Sequence, residues 1–506
     1  MCKLCDEAAA RAAAATDDES GGSTRRDVLK TSVAAGAGLA LGAVPAAAQE
    51  GEGPPDGIGT PGRRVLIKGG YVLSMDAEVG DFAPGDVLIE GERILAVGRD
   101  LDAGEAATID AAGMIVMPGF VDTHHHQFET ALRSFLADGI LIDDGRPENA
   151  INYYDTILQK LSVVYRPEDV YVSELYGSLS QIDAGVTTVM DVSQIHHSPQ
   201  HSDAAIEALR DAGRRAVFGY FEGWGERARY PQDARRIRER WFSGEDGLLT
   251  MVMGGEIYIP GYEAAWALGR ELGLPIALHV VGTFGMAPTF DELGASGLFR
   301  DDNIFIHMTG MSDAGWRYAA DAGAHVSLAV PIEMQMRHGM PPIQKALDFG
   351  MQPSLSTDVE CTMTADMFTQ MRSTMTLQRM FANEKALAGE EYPRLLTSRD
   401  AIRFATLEGA RGLKLDRRTG TLTPGKEADI VLLDARAINV APLNHVPGAV
   451  VTLMERSNVD TVMVAGRVLK WRGRLLGHDL AGLRSRLEAS RDFLFEAAEV
   501  PRDLFR

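Results

Sequence analysis

The stretch Met117-Pro-Gly-Phe-Val-Asp-Thr-His-His-His126 is the strongest indication of fold and chemistry in this sequence. Residues 114–121 form an apolar run, which predicts a buried strand, and three consecutive histidines follow it. Side chains alternate along a strand, so His124 and His126 are expected to face one way and His125 the other. Two imidazoles that converge from one strand end are typical of a metal site.

Strand-like and helical runs alternate after this stretch, which is the pattern of a parallel α/β fold. Seven further strand-like runs lie at residues 186–191, 215–220, 248–253, 275–279, 304–307, 325–330 and 353–358. Eight parallel strands with intervening helices predict a (β/α)8 TIM-type barrel. The reactive groups of such a barrel lie at the carboxyl ends of its strands, so the residues that end these runs are the candidate site.

Polar side chains end three of the later strands. His279 ends the fifth predicted strand, His307 the sixth and Asp358 the eighth. Each of them alone could be a hydrogen-bonded core residue. Together with the first histidines they offer imidazoles and a carboxylate, a donor set that suits a divalent transition metal with one position open for water.

The segment Pro118-Gly-Phe-Val-Asp-Thr-His-x-His126 resembles the signature of the amidohydrolase superfamily, in particular its cytosine deaminase and chlorohydrolase-like members. Gly420-Thr-Leu-Thr-Pro-Gly-Lys-Glu-Ala-Asp429 resembles the return segment of that superfamily, and the similarity extends over most of residues 63–475. The resemblance implies metal ligands and a further histidine beside the attacking water. The implied ligands are His124, His126, His279 and Asp358, and the further histidine is His307.

The resemblance also implies one divalent transition metal, with zinc as the expected ion and iron or manganese as alternatives. Two-metal members of the superfamily often use a bridging lysine at the end of the fourth strand, where this chain reads Met253-Gly-Gly-Glu256. A carboxylate also bridges metals, so a two-metal site with Glu256 is left open. Asp358 and His307 are the predicted catalytic residues. Asp358 accepts a proton from the attacking water, and His307 stabilises the charge that develops during attack.

One position departs from the superfamily. Deaminating and dechlorinating relatives generally carry a glutamate three residues after the fifth-strand histidine, and this chain carries Gly282 there. Ring protonation must then come from elsewhere, with Glu333 as the nearest candidate, or the substrate needs none. We therefore predict a metal-dependent amidohydrolase whose activated water hydrolyses a C–N bond of a small cyclic amide, amide or heterocycle. The alternatives are a deaminase or dechlorinase of an N-heterocycle, and a catalytically silent metal-containing binding protein.

Three loop residues are candidate substrate contacts, weighed against ordinary loop polarity. His196 follows the second predicted strand, and Glu333 and His338 follow the seventh.

The chain ends have their own organisation. Arg25 and Arg26 precede a weakly apolar run and Ala46-Ala-Ala48, which resembles a twin-arginine signal peptide, so we expect export in the folded state to the periplasm or beyond. Short alternating strands at both ends of the remaining chain predict a small β-sandwich built from the two ends. The predicted segments are a signal peptide (1–48), a linker (49–62), the first part of the sandwich (63–117), the barrel (118–416), the second part of the sandwich (417–475) and a C-terminal helix (476–506).

The charge of the chain bears on its partners. The net charge is −21 at pH 7, and an acidic surface repels phosphate backbones and anionic lipid. We therefore expect a small-molecule substrate, no nucleic acid and no stable membrane insertion, and leave a homo-oligomer open. Cys361 is the one cysteine after residue 48, so the mature chain forms no internal disulfide.

Overall fold

The computed structural model describes residues 53–244 and 247–505. The predicted signal peptide and the first residues of the predicted linker lie outside these ranges. Within them, no helix combines the length and the apolar character needed to cross a membrane.

The described strands and helices follow one another along the chain. The strands are β1 (Arg64–Val72), β2 (Phe82–Glu90), β3 (Arg93–Gly98), β4 (Ala107–Asp110), β5 (Met114–Pro118), β6 (Phe120–His125), β7 (Val186–Ser193), β8 (Arg215–Tyr220), β9 (Leu249–Gly254), β10 (Ile276–Val281), β11 (Asn303–Thr309), β12 (His325–Leu328), β13 (Ser354–Leu355), β14 (Ile430–Asp434), β15 (Val459–Val464), β16 (Arg467–Trp471) and β17 (Arg474–Leu475). The α-helices are α1 (Pro167–Asp183), α2 (Pro199–Ala212), α3 (Ala234–Trp241), α4 (Tyr262–Glu271), α5 (Ala287–Ala295), α6 (Asp313–Asp321), α7 (Val330–Gln335), α8 (Ile343–Asp348), α9 (Met367–Leu387), α10 (Ser398–Phe404), α11 (Leu407–Gly412), α12 (Val446–Thr452) and α13 (Leu480–Ala497).

Strands β6 to β13 form a parallel barrel. Each strand pairs with the next in sequence order, and an isolated bridge between His125 and Asp358 joins the first strand to the segment after the last. The backbone N–H of His126 donates to the Asp358 carbonyl at 2.8 Å, and the N–H of Asp358 donates to the His124 carbonyl at 3.0 Å. The predicted (β/α)8 barrel is confirmed.

The barrel strands are apolar along most of their length because helices cover them. Strand β7 is buried at all eight positions, as expected for a parallel strand with both faces covered. One hydrophobic cluster joins strands β6 to β11 and is separate from the larger cluster that the strands share with the helices. The members of the smaller cluster include Val121, Met190, Val217, Val252, Ala277 and Ile304.

The remaining strands form a second sheet, whose nine strands come from both chain ends. Its order is β17-β16-β15-β14-β5-β1-β2-β3, with β4 paired to β1. The predicted domain of both chain ends is therefore present, as one hydrogen-bonded sheet with a hydrophobic core of its own. Arg215 at the start of β8 connects it to the barrel, since its guanidinium lies 2.5 Å from Glu427 and 2.8 Å from Asp429, all buried.

The prediction of a single strand over residues 114–121 is wrong. The chain divides at Gly119, so that β5 belongs to the second sheet and β6 to the barrel. A Cβ at Gly119 would stand 2.1 Å from the Thr187 side chain, so the close approach of β6 and β7 at this point requires glycine. Pattern alone does not reveal such a break, because both strands are apolar.

The C-terminal helix α13 packs against the barrel. The Ser490 hydroxyl donates to Asp169 of α1 at 2.7 Å, and the rings of Phe495 and Phe135 lie 4.7 Å apart. The predicted terminal helix therefore covers helices and loops of its own barrel.

Candidate active site

Closure of the barrel gathers the predicted metal ligands at one place. The Nε2 atoms of His124 and His126 are 2.9 Å apart, and those of His124 and His279 are 3.1 Å apart. The Oδ1 atom of Asp358 lies 3.6 Å from Nε2 of both His124 and His126. Four ligand atoms from three strand regions therefore converge, as the sequence predicted.

Strand geometry explains why these side chains meet. His124 and His126 end β6 on one face, whereas Nδ1 of His125 faces the other way and lies 2.9 Å from the Asp358 carbonyl. His307 and Asp358 have left-handed backbones, with φ of 73° and 60°. Such conformations are strained for residues with a side chain and are typical of functional positions. Both residues lie near the carboxyl ends of barrel strands, and each presents a polar side chain to the site.

The donor set fits one divalent transition metal. Ligand atoms about 2.0–2.1 Å from a tetrahedral zinc ion lie about 3.4 Å from one another, close to the separations above. Burial holds the pKa values of His124 and His126 well below the usual range, so both rings are neutral and offer lone pairs. Converging imidazole nitrogens next to a carboxylate oxygen are a donor set that a divalent transition metal can occupy.

Glu256 orients His279 rather than facing another ligand position. Its Oε1 atom lies 2.6 Å from Nδ1 of His279, and the backbone N–H of His279 donates to the same carboxylate at 3.1 Å. Burial opposes protonation of His279, but the Glu256 carboxylate outweighs it and raises the pKa of His279 to about 9. A carboxylate behind a ligating histidine fixes the tautomer and directs Nε2 towards the metal. This contact gives Glu256 a role without a second metal.

Asp358 has two oxygens in different surroundings. Its Oδ1 atom faces the predicted ligand histidines, whereas Oδ2 lies 3.6 Å from Nε2 of His307 and has no hydrogen-bond partner in residues 53–244 and 247–505. Burial raises the pKa of Asp358 to about 7. One carboxylate can therefore contribute a ligand oxygen and keep a second oxygen available for a proton.

A cavity of about 380 Å³ opens beside this cluster. His126, His279, His307 and Asp358 line it together with His338. Its other walls are largely apolar and aromatic: Leu141, Ile142, Tyr153, Tyr154, Leu158, Trp224, Tyr258, Val281, Phe284, Met336 and Val359, with Gln194 as a polar member. No lysine or arginine is among these lining residues, so the cavity suits a small neutral molecule.

The predicted substrate contacts divide. His338 lines the cavity, but Glu333 and His196 are not among its lining residues. Glu333 is fully buried, its Oε1 atom lies 3.1 Å from Nδ1 of His307, and the same oxygen accepts from the Ala329 N–H at 2.9 Å. Both ring nitrogens of His196 are bonded inside the protein, to the Ser202 hydroxyl and the Ser193 carbonyl. Of the three predicted contacts, the structure therefore places only His338 in the lining of this cavity.

Gly282 stands where no side chain fits. A Cβ there would lie 2.8 Å from the Thr309 carbonyl oxygen and 2.9 Å from Cα of Gly310. Because both neighbours are backbone atoms, a side chain could enter only if the end of β11 moved. The absence of an acid at this position is therefore built into the packing of β10 against β11.

Several residues of the site were not found from the sequence. Glu222 is buried two residues after β8, and its Oε1 accepts from Gln194 and Tyr258, both at 2.6 Å. Burial raises the pKa of Glu222 to about 8. The position of Glu222 just after a barrel strand could have identified it from the sequence. The cavity aromatics Tyr154 and Phe284 lie in short helices of the π and 3-10 types, and Trp224 lies in a loop, so no regular periodic pattern marks them in the sequence.

The closed (β/α)8 barrel and the convergence of histidines and an aspartate at its strand ends define a class of barrel hydrolases that hold a metal ion. Residues 115–469 match the family described as the Amidohydrolase family, and the chain belongs to it. It is therefore an enzyme, a hydrolase that acts on carbon–nitrogen bonds.

Characterised relatives resemble most of the chain. A 5-methylthioadenosine/S-adenosylhomocysteine deaminase from Pelotomaculum thermopropionicum is 27% identical over 436 residues, which cover 82% of this chain and 95% of the relative. A 5'-deoxyadenosine deaminase from Methanosarcina barkeri is 26% identical over 423 residues, covering 80% and 92%.

Solved structures share the fold. An adenosine deaminase from Xanthomonas campestris with bound zinc superimposes with a TM-score of 0.72 at 23% identity, covering 85% of this chain and 98% of that one. An atrazine chlorohydrolase from Arthrobacter aurescens in complex with zinc gives a TM-score of 0.70 at 22% identity, covering 84% and 100%.

Proposed function

We propose that this enzyme uses one divalent metal ion, with zinc as the expected ion, to hydrolyse a C–N bond of a small cyclic amide, amide or heterocyclic compound. The observation that carries the proposal is the convergence of His124, His126, His279 and Asp358 beside a largely apolar cavity. The size of the cavity and the absence of cationic lining residues favour a small neutral substrate.

The residues divide the work of hydrolysis. When bound, a divalent cation supplies Lewis acidity, which makes hydroxide available near neutral pH and polarises the attacked group. Oδ2 of Asp358, which has no hydrogen-bond partner in the described part of the chain, accepts the proton of the attacking water and returns it to the leaving nitrogen. His307 donates from Nδ1 to Glu333, which fixes its ring with Nε2 towards Asp358 and the reacting group.

Cyclic amides and amides are the first choice among substrates. Their carbonyl carbon is electrophilic without protonation of a ring nitrogen, and the closed packing at Gly282 leaves no acid at the place where ring-deaminating relatives carry one.

Deamination of an aminopurine-like ring is the second candidate. The names of the relatives favour it, since both relatives described above are deaminases of adenosine-type compounds. In this reaction the hydrogen bond to the nitrogen of the substrate ring has to come from a residue other than Gly282.

A substrate screen tests the proposal. The purified protein is stripped of metal, reloaded with zinc, manganese or iron, and assayed against hydantoin, glutarimide, cytosine, adenine, 5'-deoxyadenosine and a chlorotriazine. We expect about one metal ion per chain and turnover of a cyclic amide or an amino-heterocycle. Less than one metal per chain, together with no turnover after reloading, would overturn the proposal. Release of chloride alone would assign the enzyme to dechlorination.

We also propose that the enzyme is exported to the periplasm or beyond after folding. The arginine pair Arg25-Arg26 ahead of a weakly apolar run supports this. Replacing both arginines by lysine should retain the precursor in the cytoplasm, as cell fractionation would measure. Normal processing and export of this double variant would refute the route.

A further inference from the structure

His338 presents an unused imidazole to the cavity. Its side chain is buried, it lines the cavity beside His307 and Asp358, and neither of its ring nitrogens has a hydrogen-bond partner among the residues that the structure describes. Its ring meets that of His307 edge to face, with 4.7 Å between the centroids. A buried polar group left without a partner costs about 1–3 kcal/mol, so an imidazole in this state indicates a partner that arrives with the substrate.

The backbone of His338 is held firmly in place. Its N–H donates to the Glu333 carbonyl at 3.1 Å. Its carbonyl accepts from the hydroxyl of Thr283 at 3.0 Å and from that of Thr309 at 2.8 Å. The backbone N–H and C=O of His338 are thus both hydrogen-bonded and hold the residue in position. Its two ring nitrogens remain available to a ligand. This is the arrangement expected of a preorganised binding residue.

Hydrogen bonds connect the backbone of His338 to the segment around Gly282, where the acid of the relatives is missing. The N–H of Gly282 donates to the Thr309 hydroxyl at 3.3 Å, and that hydroxyl donates to the His338 carbonyl. Thr283, the next residue, makes the second contact with the same carbonyl. The segment at Gly282 and Thr283, which lacks the acidic side chain, therefore helps to hold the His338 imidazole beside His307 and Asp358.

We propose that His338 is a catalytic residue that touches the substrate, and that its imidazole N–H donates a hydrogen bond to the carbonyl oxygen or ring nitrogen bonded to the attacked carbon. This inference rests on the proposed function and specifies how the substrate is recognised. Burial lowers the pKa of His338 to about 3, so the ring is neutral and carries one donor and one acceptor. A neutral donor polarises the substrate without protonating it, which favours carbons that are already electrophilic.

The Trp224 indole supports the same recognition. Its Nε1 atom is buried without a hydrogen-bond partner among the described residues, and Trp224 lines the same cavity. The indole N–H is a donor only, so it requires an acceptor on the substrate. Together the two side chains favour a neutral compound with at least two hydrogen-bonding heteroatoms, as in an imide or an amino-heterocycle.

Two substitutions at position 338 separate hydrogen bonding from shape. His338→Phe keeps a flat ring and loses both nitrogens, whereas His338→Asn keeps a donor and an acceptor. His478→Phe is the matched control, because His478 lies after the last strand of the second sheet and away from the cavity lining. Each zinc-loaded protein is analysed for metal content, for binding of hydantoin, glutarimide, cytosine and adenine by calorimetry, and for kcat and KM with each probe that is hydrolysed.

The expected result is wild-type zinc content in all variants. His338→Phe should weaken binding or lower kcat/KM by about tenfold, His338→Asn should recover part of that loss, and His478→Phe should match wild type. Equal binding and turnover of His338→Phe and wild type would overturn the role of His338, as would a loss of zinc in that variant or no binding of any probe. Binding that depends on His338 without hydrolysis of any probe would overturn the proposed function and the catalytic role of His338, and would leave only its contact with the bound compound.

Discussion

Replacing Gly282 by alanine tests whether packing excludes a side chain at the position of the missing acid. The added Cβ would stand 2.8 Å from the Thr309 carbonyl oxygen, 2.9 Å from Cα of Gly310 and 3.3 Å from its nitrogen. All three atoms belong to the backbone at the end of β11, so no side-chain rotation relieves the contact. Overpacking of this kind costs about 1–3 kcal/mol, and backbone neighbours favour the upper part of that range.

Urea unfolding of the zinc-loaded protein measures the effect. The midpoint should fall for Gly282→Ala with little change in slope, because stability changes and the surface exposed on unfolding does not. Gly247→Ala is the matched control, since a Cβ there meets no atom closer than 3.8 Å. Activity should fall as well, because Thr309 moves and its hydroxyl supports His338. A Gly282→Ala protein as stable and as active as wild type would refute the packing explanation.

Three further predictions address the ligands and the contact between the sheets. Asp358→Asn should abolish turnover while circular dichroism shows a folded protein, because the amide has no basic oxygen; retained turnover with metal bound would contradict its role. His125→Ala should keep most of its zinc whereas His124→Ala and His126→Ala lose it, and equal losses in elemental analysis would show that the ring directions are wrong. Arg215→Met should destabilise by about 3–5 kcal/mol in chemical denaturation, since the buried Asp429 carboxylate loses its ion pair with Arg215 while Glu427 keeps Arg418; an unchanged midpoint would oppose this.

The barrel and the converging residues could be predicted because parallel strands leave strong local signals. Each strand is an apolar run, and the residue that ends it has to face the same rim as the others. This is why His124, His126, His279, His307 and Asp358 could be brought together from the sequence, although they belong to distant segments.

Other parts of the site depend on contacts that the sequence does not display. Glu333 was expected to face the substrate. Its place in the first turn of α7 instead puts its carboxylate 3.1 Å from Nδ1 of His307. His196 was expected at the cavity, but its bonds to Ser193 and Ser202 turn its ring inward. The break at Gly119 depends on the approach of Thr187, a residue of another strand. Local patterns carry none of this information, because each outcome is decided between segments.

The backbone bridge between His125 and Asp358 makes completion of the candidate metal site depend on closure of the barrel. The two partners are 233 positions apart in the chain, and the bridge forms only when the last barrel strand reaches the first. A ribosome-bound chain that has not yet emerged as far as Asp358 lacks a ligand, and a barrel open at this seam holds its histidines without the carboxylate. Under the proposed metal chemistry, retention of the ion would report that the ring of barrel strands has closed, and a chain truncated before Asp358 would be recognisable by its failure to keep metal.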